Sequence, residues 1–277
     1  MDLSGKTALV TGAGRGFGWG IARALARAGA KVCVTDIDEE NIKRTVGDIE
    51  SEGGTAIGAV LDVSNLKSFQ ESIDDTVERW GSLDVLVHNA VYMPLIAFED
   101  TSPESWWQQL NVSLGGLYNG TRAAWDIMKK QGGGHIMGIA SGSSLRGYKE
   151  EVTYCTAKHG QEGFIKALAL EAQPYNIALN TMGPGAPIKT TRLTWEELKQ
   201  LPNEKKAEWV DPTELGKAFV WLAAQPPSRF SGLRFDAGTI VDTLEAEGST
   251  FEVTPEKVTM YPDDFAARQA WLESYSD

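Results

Sequence analysis

Short apolar segments alternate with longer amphipathic segments through most of this chain, and that alternation restricts its fold more than any other feature. Segments of strand length begin near residues 7, 32, 56, 84, 135, 177 and 233. Helical patterns lie between them, at residues 16–28, 39–52, 66–80, 103 onward, 152–172 and 212–224. Such alternation predicts right-handed crossovers and a parallel sheet covered by helices on both faces. We therefore expect an α/β fold, doubly wound, with about seven parallel strands in a single domain.

The composition argues against several functional classes. A net charge of −12 at pH 7 disfavours general binding to nucleic acid or to an anionic membrane, because both rely on clustered Lys and Arg. The sequence holds no apolar run of about 18 residues, and its first residues lack the pattern of a signal peptide. We expect a cytoplasmic protein. Two cysteines and three histidines without ligand spacing predict neither a disulfide framework nor a metal site.

Two segments depart from the regular alternation. Residues 186–210 are polar and charged with isolated aromatics, and they follow a predicted strand. Because ligands bind beyond the carboxyl ends of parallel strands, we expect this insert to be a substrate lid. Residues 239–277 carry nine acidic residues against two basic ones and extend beyond the main domain, 1–238. Apolar residues after Pro262 predict that this extension is partly helical and packs on the body or on a neighbouring subunit.

The segment TGAGRGFG, residues 11–18, follows the first predicted strand and opens the first predicted helix. Its four glycines let the backbone turn sharply and approach a pyrophosphate, whose charge the helix N-terminus attracts. A strand, a turn and a helix in this order are the context that the motif requires. The segment therefore predicts a phosphate-binding loop for a dinucleotide.

Asp36 ends the second predicted strand, 24 residues beyond Gly12. At that position a carboxylate accepts hydrogen bonds from the two hydroxyls of an adenosine ribose. A 2′-phosphate would meet a like charge there, which favours NAD. Arg15 in the loop favours the opposite choice, since its guanidinium can pair with a 2′-phosphate. We expect NAD, with NADP as the open alternative.

Tyr154 and Lys158 lie four residues apart in the segment YCTAK. In a helix this spacing places both side chains on one face, close enough for the ammonium to act on the phenol. A tyrosine with an ordinary pKa near 10 is a poor base at neutral pH. We therefore expect the ammonium, helped by the positive charge of an oxidised nicotinamide, to lower the pKa of the Tyr154 phenol.

With the glycine loop, Asp36 and YCTAK in one chain, residues 4–238 resemble the compact branch of the short-chain dehydrogenase/reductase family, whose fold is a Rossmann domain. The resemblance implies hydride transfer between a nicotinamide dinucleotide and a secondary alcohol or ketone, with Tyr154 as the acid/base. The catalytic set that it implies is Asn111, Ser141, Tyr154 and Lys158. Ser141 is chosen over two neighbouring serines because it lies 13 residues before Tyr154, the family's interval.

The resemblance also implies a set of dinucleotide-binding positions at the ends of the strands. The set is Gly12, Gly14, Arg15, Gly16, Phe17, Gly18, Asp36, Asp62, Val63, Asn89, Ala90, Tyr154, Lys158, Pro184, Gly185, Ile188 and Thr190. Asp62 would contact the adenine, while Ile188 and Thr190 would hold the nicotinamide carboxamide. Val91 stands where the family has a glycine, which puts the backbone geometry beside the nicotinamide in question. The fourth and fifth predicted helices imply a homotetramer or a homodimer.

The substrate side is the part that the sequence determines least. Its expected wall is Ser143, Tyr148, Met182, Leu193, Trp195 and Trp209. These side chains favour an apolar or ring-containing secondary alcohol or ketone as the small-molecule partner. Two alternatives stay open: an NADPH-dependent reductase of 3-oxoacyl or other carbonyl substrates, and a dinucleotide-binding regulator without catalysis. The complete set of four catalytic residues argues against the regulator.

Overall fold

Seven parallel strands form one sheet in the computed structural model, which describes residues 1–188, 195–254 and 270. The strands are β1 (Thr7–Thr11), β2 (Lys31–Asp36), β3 (Thr55–Val60), β4 (Val85–His88), β5 (Gly134–Ile139), β6 (Ile177–Gly183) and β7 (Arg234–Asp236). Their order across the sheet is β3-β2-β1-β4-β5-β6-β7, and each neighbouring pair is parallel. The predicted doubly wound α/β fold is thereby confirmed.

Helices cover both faces of this sheet. They are α1 (Gly16–Arg27), α2 (Glu39–Ser51), α3 (Leu66–Trp80), α4 (Pro103–Leu110), α5 (Gly116–Gln131), α6 (Val152–Ala172), α7 (Trp195–Gln200), α8 (Asn203–Ala207), α9 (Pro212–Ala223) and α10 (Ala237–Glu247). Several begin at side chains that accept hydrogen bonds from the first free backbone N–H groups, as Asp38 does for α2 and Asn65 for α3. Local sequence therefore determines where these helices start.

Alternate residues of the strands enter two hydrophobic cores, one on each face of the sheet. In β1, Ala8 and Val10 belong to one core and Leu9 to the other, and all three side chains are fully buried. The first core is completed by α1, α2, α9 and α10, and the second by α3, α5 and α6. Burial on both faces explains why these strands read as nearly continuous apolar runs.

The long helix predicted from residue 103 is interrupted by a π-helical turn, Asn111–Gly115, between α4 and α5. The carbonyl oxygen of Ser113 in this turn lies 2.8 Å from Gln161 Nε2 and 2.8 Å from His88 Nε2. A π turn breaks the regular hydrogen-bond ladder of a helix, so its carbonyls can take partners from elsewhere. This turn joins the helix that carries Asn111 to α6 and to the end of β4.

The insert and the extension both contain helices that the sequence pattern did not indicate. In the insert, α7 and α8 lead to Val210, whose N–H donates to the carbonyl of Pro187 at 2.9 Å. Helix α10 crosses the predicted boundary at residue 238, and the chain beyond it returns to the core, where Phe251 stacks on Trp221 at 4.8 Å between ring centroids. The helix predicted after Pro262 lies outside the described residues, apart from Ala270.

The chain order of the strands creates a crevice at the carboxyl ends of the central strands. From the central β1 the chain moves outward to β2 and β3, and then crosses to β4 on the other side of β1. The loops after β1 and β4 therefore leave in opposite directions and open a gap between them. Ligands of doubly wound sheets bind at such a switch point, beyond the carboxyl ends of the strands.

We predict that Gly20→Ala destabilises the protein because α1 and α9 approach closely at this glycine. A Cβ atom at Gly20 would overlap the carbonyl carbon and the Cβ of Pro212. We expect a loss of at least about 1 kcal/mol in the free energy of unfolding, as for other overpacked cores. Urea unfolding followed by circular dichroism measures it.

Gly47→Ala is the matched control. Gly47 lies in α2, and a Cβ atom added there would meet no heavy atom within 4 Å. Alanine at this position favours the helix by roughly 0.5–1 kcal/mol. Equal stability of the two variants would contradict the close packing at Gly20.

Candidate active site

A cleft of about 440 Å³ lies at the switch point between β1 and β4. Seven of the predicted dinucleotide positions line it: Gly12, Arg15, Asp36, Asp62, Val63, Asn89 and Ala90. Val91, the departure from the family pattern, lies in the same lining. The cleft is thus formed by the loops that follow four neighbouring strands.

The glycine loop has the backbone that the sequence predicted. Gly12 and Gly16 have φ angles of +60° and +61°, in the left-handed region that favours glycine. A Cβ atom at Gly18 would overlap the side-chain amide nitrogen of Asn89 and the carbonyl oxygen of Gly12. That amide donates to the carbonyls of Thr11 (3.0 Å) and Gly12 (2.9 Å), so the turn after β4 holds the loop in place.

Asp36 is fixed in orientation by three backbone N–H groups. Gly14 N–H donates to one carboxylate oxygen at 3.0 Å, and Ile37 and Asp38 N–H donate to the other at 2.8 and 3.2 Å. A Cβ atom at Gly14 would lie 2.8 Å from the Asp36 carboxylate, which explains why a glycine stands there. The carboxylate therefore borders both the loop and the cleft.

Ser141 and Tyr154 meet where β5 ends and α6 begins. The Ser141 hydroxyl lies near the Tyr154 phenol and favours its ionised form. The Ser141 hydroxyl also accepts from Ser143 N–H at 3.2 Å, and Ser141 N–H donates to the hydroxyl of Ser144 at 3.1 Å. These bonds form a capping box around the short 3₁₀ turn that follows β5. The local turn thus aims the serine at the tyrosine.

Lys158 lies one helical turn beyond Tyr154 and is almost completely buried. Its Nζ donates to the carbonyl oxygen of Ile139 at 2.6 Å and to Oε1 of Gln161 at 3.0 Å. The same Nζ lies 5.6 Å from the centroid of the Tyr154 ring. Because an ammonium has three N–H donors, these two bonds leave one donor for another partner.

The chain's own residues raise the pKa of Tyr154 and do not lower it. Burial raises the pKa of the phenol to about 12; the hydrogen bond to Ser141 opposes the rise, and Glu151 adds to it. Burial also lowers the pKa of the Lys158 ammonium to about 8, against the effect of Glu162. The chain's own residues therefore keep the phenol protonated at neutral pH.

The remaining predicted dinucleotide positions have different surroundings. Gly185, with φ of +61°, and Pro184 border a second cavity of about 300 Å³ beyond the end of β6. Ile188 is partly buried against the first core. The side chain of Phe17 is buried in that core against Phe219, so only its backbone faces the loop. Thr190 lies outside the described residues.

The predicted substrate wall is only partly assembled by the described residues. Met182 does not belong to an open wall, because its side chain is fully buried in the first core. Tyr148 is exposed and its hydroxyl accepts from Arg146 Nε at 2.6 Å, whereas the buried Ser143 hydroxyl donates to Glu151 at 2.8 Å. Trp209 is half-buried. Leu193 and the side chain of Trp195 lie outside the described part.

Asn111 begins the π turn and is exposed. The sequence reasoning did not identify several polar residues around it and around Lys158. They are His88, Gln161, Glu162, Arg234 and Asp236. Only Glu162 had a visible signal, because it continues the four-residue spacing of Tyr154 and Lys158.

None of the helices in the described residues is long and apolar enough to cross a bilayer. Within the same residues, we found no group of three or more His, Cys, Asp or Glu side chains arranged to hold a metal ion.

The fold and the cleft define a dinucleotide-binding α/β protein with a Ser-Tyr-Lys cluster at the switch-point edge of its sheet. Residues 6–201 match the short chain dehydrogenase family, and the chain belongs to that family. It is therefore an oxidoreductase of the short-chain type, a family that binds a nicotinamide dinucleotide.

Two curated relatives and one solved structure show how near the likeness is. The trans-4-hydroxycyclohexanecarboxylate dehydrogenase of Sinomonas cyclohexanicum is 34% identical over 84% of this chain and 92% of its own length. The 3-alpha-(or 20-beta)-hydroxysteroid dehydrogenase of Mycobacterium bovis is 34% identical over 93% and 98%. A metagenomic short-chain oxidoreductase in complex with NADP is 26% identical, with a TM-score of 0.70 over 83% of this chain and 96% of that chain.

We predict that Lys158→Met is more stable than the wild type at pH 7 and that this advantage shrinks at pH 9.5. The native ammonium has a pKa of about 8 and the unfolded one 10.5, so at pH 7 the wild type holds a buried charge. At about 1.36 kcal/mol per pKa unit the cost is up to about 3 kcal/mol, reduced by the bonds to Ile139 and Gln161. Between the two pKa values the native state alone loses the proton, and the wild type regains stability.

Thermal unfolding at both pH values measures the difference. Lys130→Met is the control, since Lys130 is exposed on α5 and its removal relieves no buried charge. If Lys158→Met is more stable than the wild type by the same amount at both pH values, Lys158 is not a buried cation in the native protein.

Proposed function

We propose that this chain is an NAD-dependent dehydrogenase that interconverts a ring-containing secondary alcohol and its ketone. The observation that carries the proposal is the cluster of Ser141, Tyr154 and Lys158 beside the crevice between β1 and β4. A hydroxyl, a phenol and a buried ammonium that lie near one another supply a proton donor and acceptor next to a nucleotide cleft. Family membership supports chemistry on a CH–OH group.

The described residues fit a dinucleotide. Gly12, Gly14 and Gly18 stand where a Cβ atom would fill the loop or strike its supports, which leaves backbone N–H groups open to a pyrophosphate at the start of α1. Arg15 immediately precedes α1, and Asp36 borders the loop. Arg15 would therefore hold the phosphate end of an adenosine phosphate, and Asp36 would hold its ribose end. A bound oxidised nicotinamide dinucleotide would accept the hydride from the carbinol carbon and would add one positive charge.

NAD rather than NADP is proposed because the Asp36 carboxylate is held rigidly at the edge of the cleft. Its three backbone donors orient it and, of about four lone-pair sites on a carboxylate, leave one on Oδ2 to accept from a ribose hydroxyl. A 2′-phosphate at this carboxylate would bring two negative charges together. The NADP in the metagenomic neighbour and the presence of Arg15 favour the alternative, an NADPH-dependent carbonyl reductase.

In the proposed mechanism, Tyr154 removes the proton from the substrate hydroxyl and Ser141 donates a hydrogen bond that orients the same oxygen. The phenol needs a lower pKa than the chain alone gives it, and each added cation nearby moves the pKa downward. The positive charge of a bound oxidised nicotinamide would be such a cation, and Lys158 has one N–H left that would hold the ribose of the dinucleotide. Asn111 would hold the water that carries the proton outward.

A ring-containing substrate is proposed from the neighbourhood of the cluster and from the relatives. Val91, Tyr92, Met93 and Pro94 give the cleft an apolar border on the side of the β4 loop. The named substrates of the two curated relatives contain a cyclohexane ring or a steroid. A secondary alcohol on a ring is thus the substrate class that both observations favour.

Assembly as a homotetramer or a homodimer is proposed as well. Trp107 on α4, Tyr118 on α5 and Leu170 on α6 are all exposed. Exposed apolar side chains on neighbouring helices support an interface between copies of this chain.

We predict that Tyr154→Phe abolishes alcohol oxidation while NADH binding is retained. General acid/base catalysis contributes about 10²–10⁴-fold, so kcat should fall by at least that factor. Absorbance at 340 nm with a panel of cyclic, steroid and aromatic alcohols measures turnover, and NADH fluorescence measures binding. The control is Tyr175→Phe, at the surface after α6. Retained turnover in Tyr154→Phe would remove the tyrosine from the proposal.

We predict that Asp36→Ala raises KM for NAD about tenfold or more and improves the use of NADP. A hydrogen bond to a charged group is worth about 1.5–3 kcal/mol, and 1.4 kcal/mol corresponds to a factor of ten. Initial rates with the two nucleotides in parallel give the ratio. Glu40→Gln, exposed on α2, is the control for a change of surface charge. An unchanged ratio in Asp36→Ala would assign the choice to Arg15 or another group.

A further inference from the structure

Glu162 continues the row of Tyr154 and Lys158 along one face of α6. The three residues follow one another at four-residue intervals, which places them one above the other. Glu162 is buried like Lys158, with 7% and 3% of each residue exposed. A buried carboxylate therefore lies one helical turn beyond the buried ammonium.

The Glu162 carboxylate has partners on two strands. The hydroxyl of Thr181 on β6 donates to the carboxylate, at 3.1 Å from each of its oxygens. The guanidinium of Arg234 on β7 approaches with Nε 3.4 Å from Oε1, an ion-pair distance without good hydrogen-bond geometry. The carboxylate is thus held against the last two strands of the sheet and is buried.

Arg234 joins this carboxylate to the serine of the candidate site. One terminal nitrogen donates to Asp236 at 3.2 Å, and the other donates to the carbonyl oxygen of Ser141 at 3.3 Å. Since Ser141 lies near Tyr154, these neighbours form a ring. The ring runs through Ser141, Tyr154, Lys158, Glu162 and Arg234, and back to Ser141; Lys158 and Glu162 are linked by their charges, one helical turn apart.

The charges in and beside this ring alternate. Lys158 faces Tyr154 and Glu162 on its own helix and the buried His88 from β4. Burial lowers the pKa of His88 to about 4, so the imidazole ring is neutral at pH 7. Glu162 faces Lys158 and Lys166 on α6 and Arg234 on β7, which in turn contacts Asp236. Burial raises the pKa of the Glu162 carboxyl, and Arg234 is the largest opposing influence.

We propose that Glu162 and Arg234 are positioning residues for the proposed dehydrogenase. Glu162 keeps Lys158 in its cationic form through its charge, and Arg234 holds the Ser141 turn through the backbone carbonyl. The inference rests on the proposed function and adds a role that neither the family match nor the Ser-Tyr-Lys cluster requires. A buried ion pair is weak support for stability alone, because apolar residues often replace such pairs without loss. Glu162 lies one helical turn from Lys158, and Arg234 donates to the carbonyl of Ser141, so both members of this pair border the candidate site.

The first test is the pH dependence of alcohol oxidation. With Glu162→Gln we expect the alkaline limb, where Lys158 loses its proton, to move to lower pH by on the order of one unit. Glu162→Asp keeps the charge and should restore most of the wild-type profile. Glu171→Gln, exposed on the same helix, is the control. A uniform loss of activity at every pH, or an unshifted limb, would overturn the role of Glu162.

The second test separates the role of Arg234. Arg234→Lys keeps a cation but cannot donate to Asp236 and Ser141 with one planar fork. We expect kcat to fall about tenfold while the alkaline limb stays in place. A wild-type kcat in this variant would show that Arg234 does not support the Ser141 turn.

If single variants fail to fold, the double variant Glu162→Met with Arg234→Met replaces the pair by apolar side chains. A wild-type profile in that double variant overturns the proposal, and a shifted limb supports it.

The third test uses no turnover. We expect Glu162→Gln to lower Tm less in a Lys158→Met background than in the wild type at pH 7, and equally in both at pH 9.5. Equal losses at pH 7 would overturn the link between Glu162 and Lys158. If the wild type oxidises no alcohol in the panel while this coupling is present, the proposed function fails and the link between the two residues stands.

Discussion

The burial of the Lys158 ammonium is the constraint on which the candidate site depends. A charged group taken out of water is costly unless its donors are satisfied. Here the carbonyl of Ile139 at the end of β5 and the side chain of Gln161 accept two of the three N–H groups. To meet these partners, the first half of α6 has to pack against the carboxyl end of β5. That placement also fixes Tyr154, one turn earlier on the helix.

The same requirement reaches the nucleotide loop through a series of buried polar groups. Gln161 and His88 both contact the carbonyl of Ser113 in the π turn. His88 in turn contacts the hydroxyl of Thr11, which accepts from the N–H groups of Asn89 and Ala90. Since the His88 ring is neutral at pH 7, this series fixes positions and carries no net charge. The candidate acid/base cluster and the nucleotide cleft are therefore joined at one edge of the sheet.

The sequence was sufficient for the sheet and for the turn of the glycine loop, because both depend on local pattern. Strands buried on two faces must be apolar, and a loop that turns at positive φ needs glycine, as at Gly12 and Gly16. The π turn escaped prediction because the 3.6-residue pattern runs through it. Glu162 and Arg234 escaped because their pairing joins α6 to β7 across the fold. The pKa of Tyr154 depends on burial and on where the ammonium points, and neither is local.

The packing of α1 on α9 has a consequence for how the chain is made. Phe17, Ile21 and Leu25 of α1 are buried in a core that also needs Phe219 and Trp221. Roughly two hundred residues separate the two helices in the chain, and at about 5–20 residues per second their synthesis takes on the order of ten to forty seconds. During that interval the apolar face of α1 is outside the ribosome, and α9, which would cover it, has not yet been synthesised. A chaperone that shields this helix would therefore act before the first core can close.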